Sequence, residues 1–196
     1  MSVRLAPVTR REGTIGSYDL NLDVEERVLV ASLLNDLRSL LAAPDADPDG
    51  RLRRLFPSAY HQERDQAEDA EFRRFMRDDL VASHLTSIER IHAVLAPAND
   101  PSGPTSSGDG LSGGERSGRL RRRKPVEPAP VVLDGAHVES LVQCVNGIRL
   151  VLGTMLDVSE DDPDEIDDDD PLIGERYLYD FLSWILDSAI RALQGV

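Results

Sequence analysis

Cysteine is almost absent from this sequence: its 196 residues include one, Cys144. A single thiol excludes an intramolecular disulfide framework and any cysteine-rich zinc finger. Lysine is as scarce, with Lys124 alone among 22 basic side chains. Aromatic residues make up only 5%, and no uninterrupted apolar run approaches the ~18 residues of a membrane span. The Arg-studded stretch Met1–Gly13 has no apolar core of the kind a secretory signal requires. A cytoplasmic protein without membrane association is therefore expected. Catalytic signatures are missing as well. There is no G-x-S-x-G, no Walker loop, no H-E-x-x-H, and Gly113-Gly114 lack the strand and helix that a phosphate-binding turn needs. His61 and His84 have no evident Ser or Cys partner. The expectation is a protein that is not an enzyme and carries no cofactor.

What is present is charge, unevenly spread. Asp and Glu number 36 against 22 Lys and Arg, a net charge of −14. Ten of those carboxylates lie in Asp157–Asp170 (DVSEDDPDEIDDDD), within an expected acidic loop over residues 157–171. The other 182 residues carry only −4. Residues 97–130 are rich in Pro, Ser and Gly and have no apolar period, the composition of a disordered linker. Near the end of this linker, Arg119, Arg121, Arg122, Arg123 and Lys124 place five positive charges in six positions.

Four amphipathic patterns flank these stretches. Asp23 and Glu26 form a D-x-x-E capping box before the first, which carries Val24, Val28, Leu34, Leu37 and Leu41, widened by Leu29, Val30, Leu33 and Leu40. Leftovers of so broad a face would suit a homodimer. The second pattern, about 69–95, spaces Phe72, Phe75, Met76, Leu80, Leu85, Ile88, Ile91 and Leu95 at three and four residues. Asp134 caps the third, which runs to Met155. The fourth, about 174–193, gathers Tyr177, Tyr179, Phe181 and Trp184 within eight residues. It is expected at the centre of the core. Before them, Val3–Val8 and Thr14–Leu20 around Arg10–Gly13 suggest a hairpin over residues 3–20. Leu52–Tyr60 reads as a helical turn packing Leu55 and Phe56 on the bundle. The expected fold is mainly α, one domain over 1–196: a four-helix bundle-like domain with a short N-terminal β-hairpin and a long interhelical linker.

The order of RLRRLFPSAY (Arg51–Tyr60), EFRRFMRDDLVASHLTSIERIHAVL (Glu71–Leu95), VESLVQCVNGIRLVLGTML (Val138–Leu156) and YLYDFLSWILDSAIRAL (Tyr177–Leu193) resembles an actinobacterial family. This is the AosR-like family of oxidative-stress transcriptional regulators, long catalogued as a domain of unknown function. These motifs are helix-packing patterns rather than catalytic ones. The resemblance implies a cytoplasmic regulator that contacts a stress sigma factor of the extracytoplasmic-function type, or RNA polymerase. It also implies redox responsiveness, and there the chain departs from the family, because a disulfide switch needs two cysteines. Redox sensing is then absent, intermolecular, or the property of a partner.

Each candidate site has a plainer reading beside it. Cys144 is a redox candidate, but it lies beside an apolar stripe with no neighbouring cation to lower its pKa. Asp45–Gly50 (DADPDG) opens like an EF-hand loop, yet Phe56 occupies the twelfth position where a bidentate Glu belongs. Glu89-x-x-His92 and Asp134-x-x-His137 resemble half of a di-iron set, although Asp134 is better used as a cap. The basic cluster is a solvated linker, or it touches promoter DNA beside a polymerase or docks on the protein's own acidic loop, and DNA contact is at most indirect. Asp161, Asp162, Asp164, Glu165, Asp167, Asp168, Asp169 and Asp170 form either a solvated loop or an acidic surface for a basic partner. The favoured expectation is a non-enzymatic regulator acting by protein contact. The alternatives are a metal-binding, di-iron-like bundle and an adaptor for proteolysis.

Overall fold

The structure, a computed structural model, describes residues 6–42, 47, 49–56, 66–95, 129–158 and 170–195, with backbone alone for 66–75. The elements follow in the order β1 (Val8–Arg10), β2 (Ser17–Leu20), α1 (Val24–Ala42), α2 (Gln66–Leu95), β3 (Val131–Asp134), α3 (Gly135–Met155) and α4 (Ile173–Gln194). The expected mainly helical fold with an N-terminal hairpin is present. Residues 3–5 of the expected hairpin and 97–128 of the linker lie outside the described residues.

Local chemistry sets the helix ends. The Asp23 carboxylate accepts the Glu26 N–H at 2.8 Å while Glu26 accepts the Asp23 N–H at 2.9 Å, a reciprocal box that starts α1. Asp134 starts α3 by accepting the His137 N–H at 2.9 Å. At the other end of the chain, Gly195 takes a left-handed φ of 77° and returns its N–H to the Arg191 carbonyl, closing α4.

The hairpin differs from expectation in its strand bounds, which are Val8–Arg10 and Ser17–Leu20. Gly13 and Gly16 both adopt positive φ, 77° and 72°, so the chain reverses over 12–16. Ile15, read as part of a strand, therefore sits wholly exposed in the turn. A third strand was not expected. β3 pairs antiparallel with β2, Val131 opposite Leu20 and Asp134 opposite Ser17, giving a sheet in the order β1-β2-β3. Its four residues run straight into the α3 cap, too short to stand out from the preceding linker composition.

Val8, Tyr18, Leu20 and Leu133 alternate onto the inner face of the sheet and are buried against the helices. The backbone N–H of Val8 donates to the Ser188 hydroxyl at 3.2 Å, which ties β1 to α4. The central helix is α3 rather than α4. It packs on α1, α2, α4, β2 and β3 and buries Val138, Leu141, Cys144, Val145 and Ile148. α4 lies outside it, burying Leu182, Ile185, Ala189 and Ala192 on one stripe and leaving Tyr177 exposed. Gln143 meets Ser83 and Ser87 while Ser140 meets Arg90, so α2 and α3 run antiparallel. Arg149 donates to Ser183 while Gly153, one turn on, lies against the Tyr179 ring, one turn back, so α3 and α4 run antiparallel too. Val24, Val28 and Leu29 are exposed, so part of the broad α1 face is uncovered among the described residues. Met76 and Leu80 on α2 are exposed as well, whereas Ile88, Ile91 and Leu95 are buried as the spacing predicts.

Candidate protein-docking site

The width of the α1 face decides where the surface is apolar. Leu34, Leu37 and Leu41 point into the core, while Leu33 and Leu40, one position before a core residue in each case, fall on its edge and stay half-buried. α1 packs on α2 and α3, and α4 packs on α3 and β1. Between α1 and α4 an open groove of about 530 Å³ remains. Its walls are Leu33 and Leu40 of α1 and Leu178 of α4, its floor is Ile148, Val151 and Leu152 of α3, and Met155 closes one end. Met155 is 55% exposed, a large apolar side chain with little to cover it. Asp36, Ser39 and Arg51 supply the polar rim.

The end of the groove near Met155 is built by the turn that follows Asp47. Asp47 accepts the N–H groups of Arg51 and Leu52, both at 2.9 Å, and pairs with the Arg51 side chain. Burial opposes its ionisation, but those N–H groups and the Arg51 guanidinium prevail and hold the carboxyl below its usual range. Gly50 permits the turn with φ 62°. Leu52 then enters the core, and Leu55 and Phe56 pack on it as expected, with Arg77 of α2 stacked over the Phe56 ring at 5.5 Å. From the same turn, Arg54 donates to the Val158 carbonyl at 2.7 Å and Arg53 pairs with Asp157 at 3.5 Å. Asp170 accepts the Leu172 N–H and pairs with Arg176, and these contacts lower its pKa. Since α3 and α4 are antiparallel, the acidic stretch leaves and rejoins the described fold at this one end.

The sequence candidates fall in different places. Cys144 is fully buried in the core, and burial pushes its thiol up to about 12. Asp47, the central carboxylate of DADPDG, is committed to backbone N–H groups rather than turned toward an ion. Asp134 and His137 pair with each other at 2.7 Å. His92 lies half-buried on α2, its pKa lowered first by burial and then by Arg38 of α1. Among the described residues, no three His, Cys, Asp or Glu side chains come together as a metal site. Arg119, Arg121, Arg122, Arg123 and Lys124 lie outside the described residues. So do Asp161, Asp162, Asp164, Glu165, Asp167, Asp168 and Asp169, leaving Asp170 as the described member of that set. The groove residues went unnoticed in sequence. Their only signal was that Leu33 and Leu40 widen the α1 face beyond what one helix–helix seam requires.

A second cleft lies between β1 and the end of α4, lined by Arg10, Trp184, Ser188 and Arg191. There Asp187 pairs with Arg191 at 2.9 Å, and the Ser188 hydroxyl already accepts from Val8 and donates to Ile185.

Fold and groove together define a small α-helical protein capped by a three-stranded sheet, with an open, helix-walled apolar groove on its described surface. The chain belongs to the family described as Domain of unknown function (DUF2017), which matches residues 6–193. No curated protein and no solved structure matches it. No helix among the described residues is long and apolar enough to cross a membrane.

Proposed function

We propose that this DUF2017 protein is a non-enzymatic transcriptional regulator of an oxidative-stress response, of the AosR-like kind, working in the cytoplasm by contact with a stress sigma factor or RNA polymerase. The observation that carries the reading is the groove between α1 and α4. It is an apolar surface between helices, floored by Ile148, Val151 and Leu152 and rimmed by Asp36, Ser39 and Arg51. The order of helix-packing motifs that resembles the regulator family supports the same reading. Cys144 takes no part as a switch in the folded state, since its thiol is buried and held far above neutral pH. A redox signal then reaches this protein through its partner.

The test is co-purification of the full chain from cells of its own source, with and without peroxide, followed by mass spectrometry. Enrichment of a sigma factor or polymerase subunit is expected. Recovery of neither, under both conditions, refutes the proposal.

A further inference from the structure

We infer that the α1–α4 groove seats two turns of a basic amphipathic helix from a protein partner. This rests on the reading above, that the protein works by protein contact, and narrows the chemistry of what it contacts. Two properties of the groove select the occupant.

The first is shape. The lining runs from Leu33 to Leu40 on α1 and from Ile148 to Met155 on α3. At 1.5 Å per residue the α1 wall and the α3 floor each span roughly 10 Å, two helical turns. Helix-in-groove recognition places apolar side chains at i, i+3 or i+4, and i+7, which matches that length. Half-buried leucines and an uncovered methionine are the surfaces such anchors fill, and a methionine adapts its shape to them.

The second is charge. Asp36 stands on the α1 rim. Glu175, exposed, lies one turn before Leu178 on α4, and Asp157, with an 89% exposed side chain, follows the end of α3. Arg51, the one cation among the described lining residues, is already matched by Asp47 at 3.4 Å. The Arg53–Asp157 pair is exposed on both sides and weak, so a partner's cation competes with it at little cost. A helix with leucine on one face and lysine or arginine on its flanks is drawn in. An acidic helix with the same apolar face is repelled.

The experiment uses the full chain and two labelled helical peptides of about 18 residues, long enough to fold in part on their own. They share one leucine face and differ in lysine or glutamate flanks. By fluorescence anisotropy the lysine peptide is expected to bind saturably, at least tenfold tighter than the glutamate peptide, and to weaken several-fold between 50 and 300 mM salt as screening shortens. Met155→Asp should weaken the lysine peptide tenfold or more even though it adds negative charge. Val132→Asp, on the outer sheet face, should leave binding unchanged. Circular dichroism confirms that both variants are folded, and Leu33→Gln repeats the test at the opposite end of the groove. Equal affinity for the two peptides, binding indifferent to both groove substitutions, or a self-association that these substitutions abolish would each overturn the assignment. Capture of a sigma factor by wild type and by Met155→Asp alike removes the groove and keeps the regulatory reading. Peptide binding as described, with no sigma factor or polymerase captured, does the reverse.

Discussion

A thiol held at about 12 leaves roughly one thiolate in 10⁵ molecules at neutral pH, and Cys144 has no exposed surface besides. Cys144 should therefore resist iodoacetamide in the folded protein and react promptly in urea, which peptide mass spectrometry resolves; native labelling at a comparable rate would contradict the burial. His84 is the residue-scale feature that the sequence concealed. It is buried where α1, α2 and α3 meet, against Leu37 and Gly147, and among the described residues its Nδ1 has no hydrogen-bond partner. A lone histidine in an apolar pattern announces none of this. Burial lowers the pKa of His84, and burial with Arg38 lowers that of His92. The fold thus favours both rings neutral, and below their ordinary value of 6.5 the unfolded chain binds more protons than the native one. Their stabilisation is complete above pH 6.5 and is lost as pH falls through it toward the lower folded values. Urea midpoints measured from pH 8 to 5 should be flat and then decline, and His84→Leu with His92→Leu should remove most of that decline. Asp47, Asp134 and Asp170, lowered from 3.8, act only in more acid solution. At Gly147 a Cβ would stand 3.2 Å from a Leu37 methyl and 3.5 Å from the His84 ring. The branched side chain of Gly147→Val should overpack this junction and cost about 1–3 kcal/mol in denaturant unfolding.

Helix starts were the most legible elements, because a cap is a local transaction between residues three apart. Asp23 with Glu26 and Asp134 with His137 bond as their spacing predicts. Asp23→Ala should cost about 1 kcal/mol, read as a lower urea midpoint with an unchanged slope. What resisted reading was anything that depends on which neighbour arrives. Periodicity shows that α1 and α4 have apolar faces, not how far each is covered. The aromatic cluster pointed to α4 as the central helix, but large rings with polar edges suit a partly exposed outer helix, and the smaller residues of α3 allow close approach on several sides. Ile185, on the buried stripe of α4, should cost about 2–5 kcal/mol when cut to Ala. β3 was missed for a related reason: four residues make a strand only because β2 stands ready to pair with them.

For the whole molecule, sheet and helices share one core, with Leu20 and Leu133 in the same buried cluster as Leu141 and Ile185. Unfolding should be one transition, so fluorescence of the lone Trp184 and far-ultraviolet dichroism should trace the same curve in urea. Separate midpoints would mean that the sheet is an appendage. Fold class was readable at this scale because capped, periodic segments sum to a bundle. The groove was not, because it arises from where two helices fail to meet.

The bond from Val8 to Ser188 spans 180 positions of the chain. At about 5–20 residues per second, a ribosome needs roughly ten to forty seconds to make the second partner after the first. For all of that interval β1 lacks α4, and for most of it β2 lacks β3 as well, and an isolated two-stranded hairpin is marginal in water. β1, made before the other described elements, is thus among the last of them to settle, and its Val8 N–H waits for α4 before it is paired.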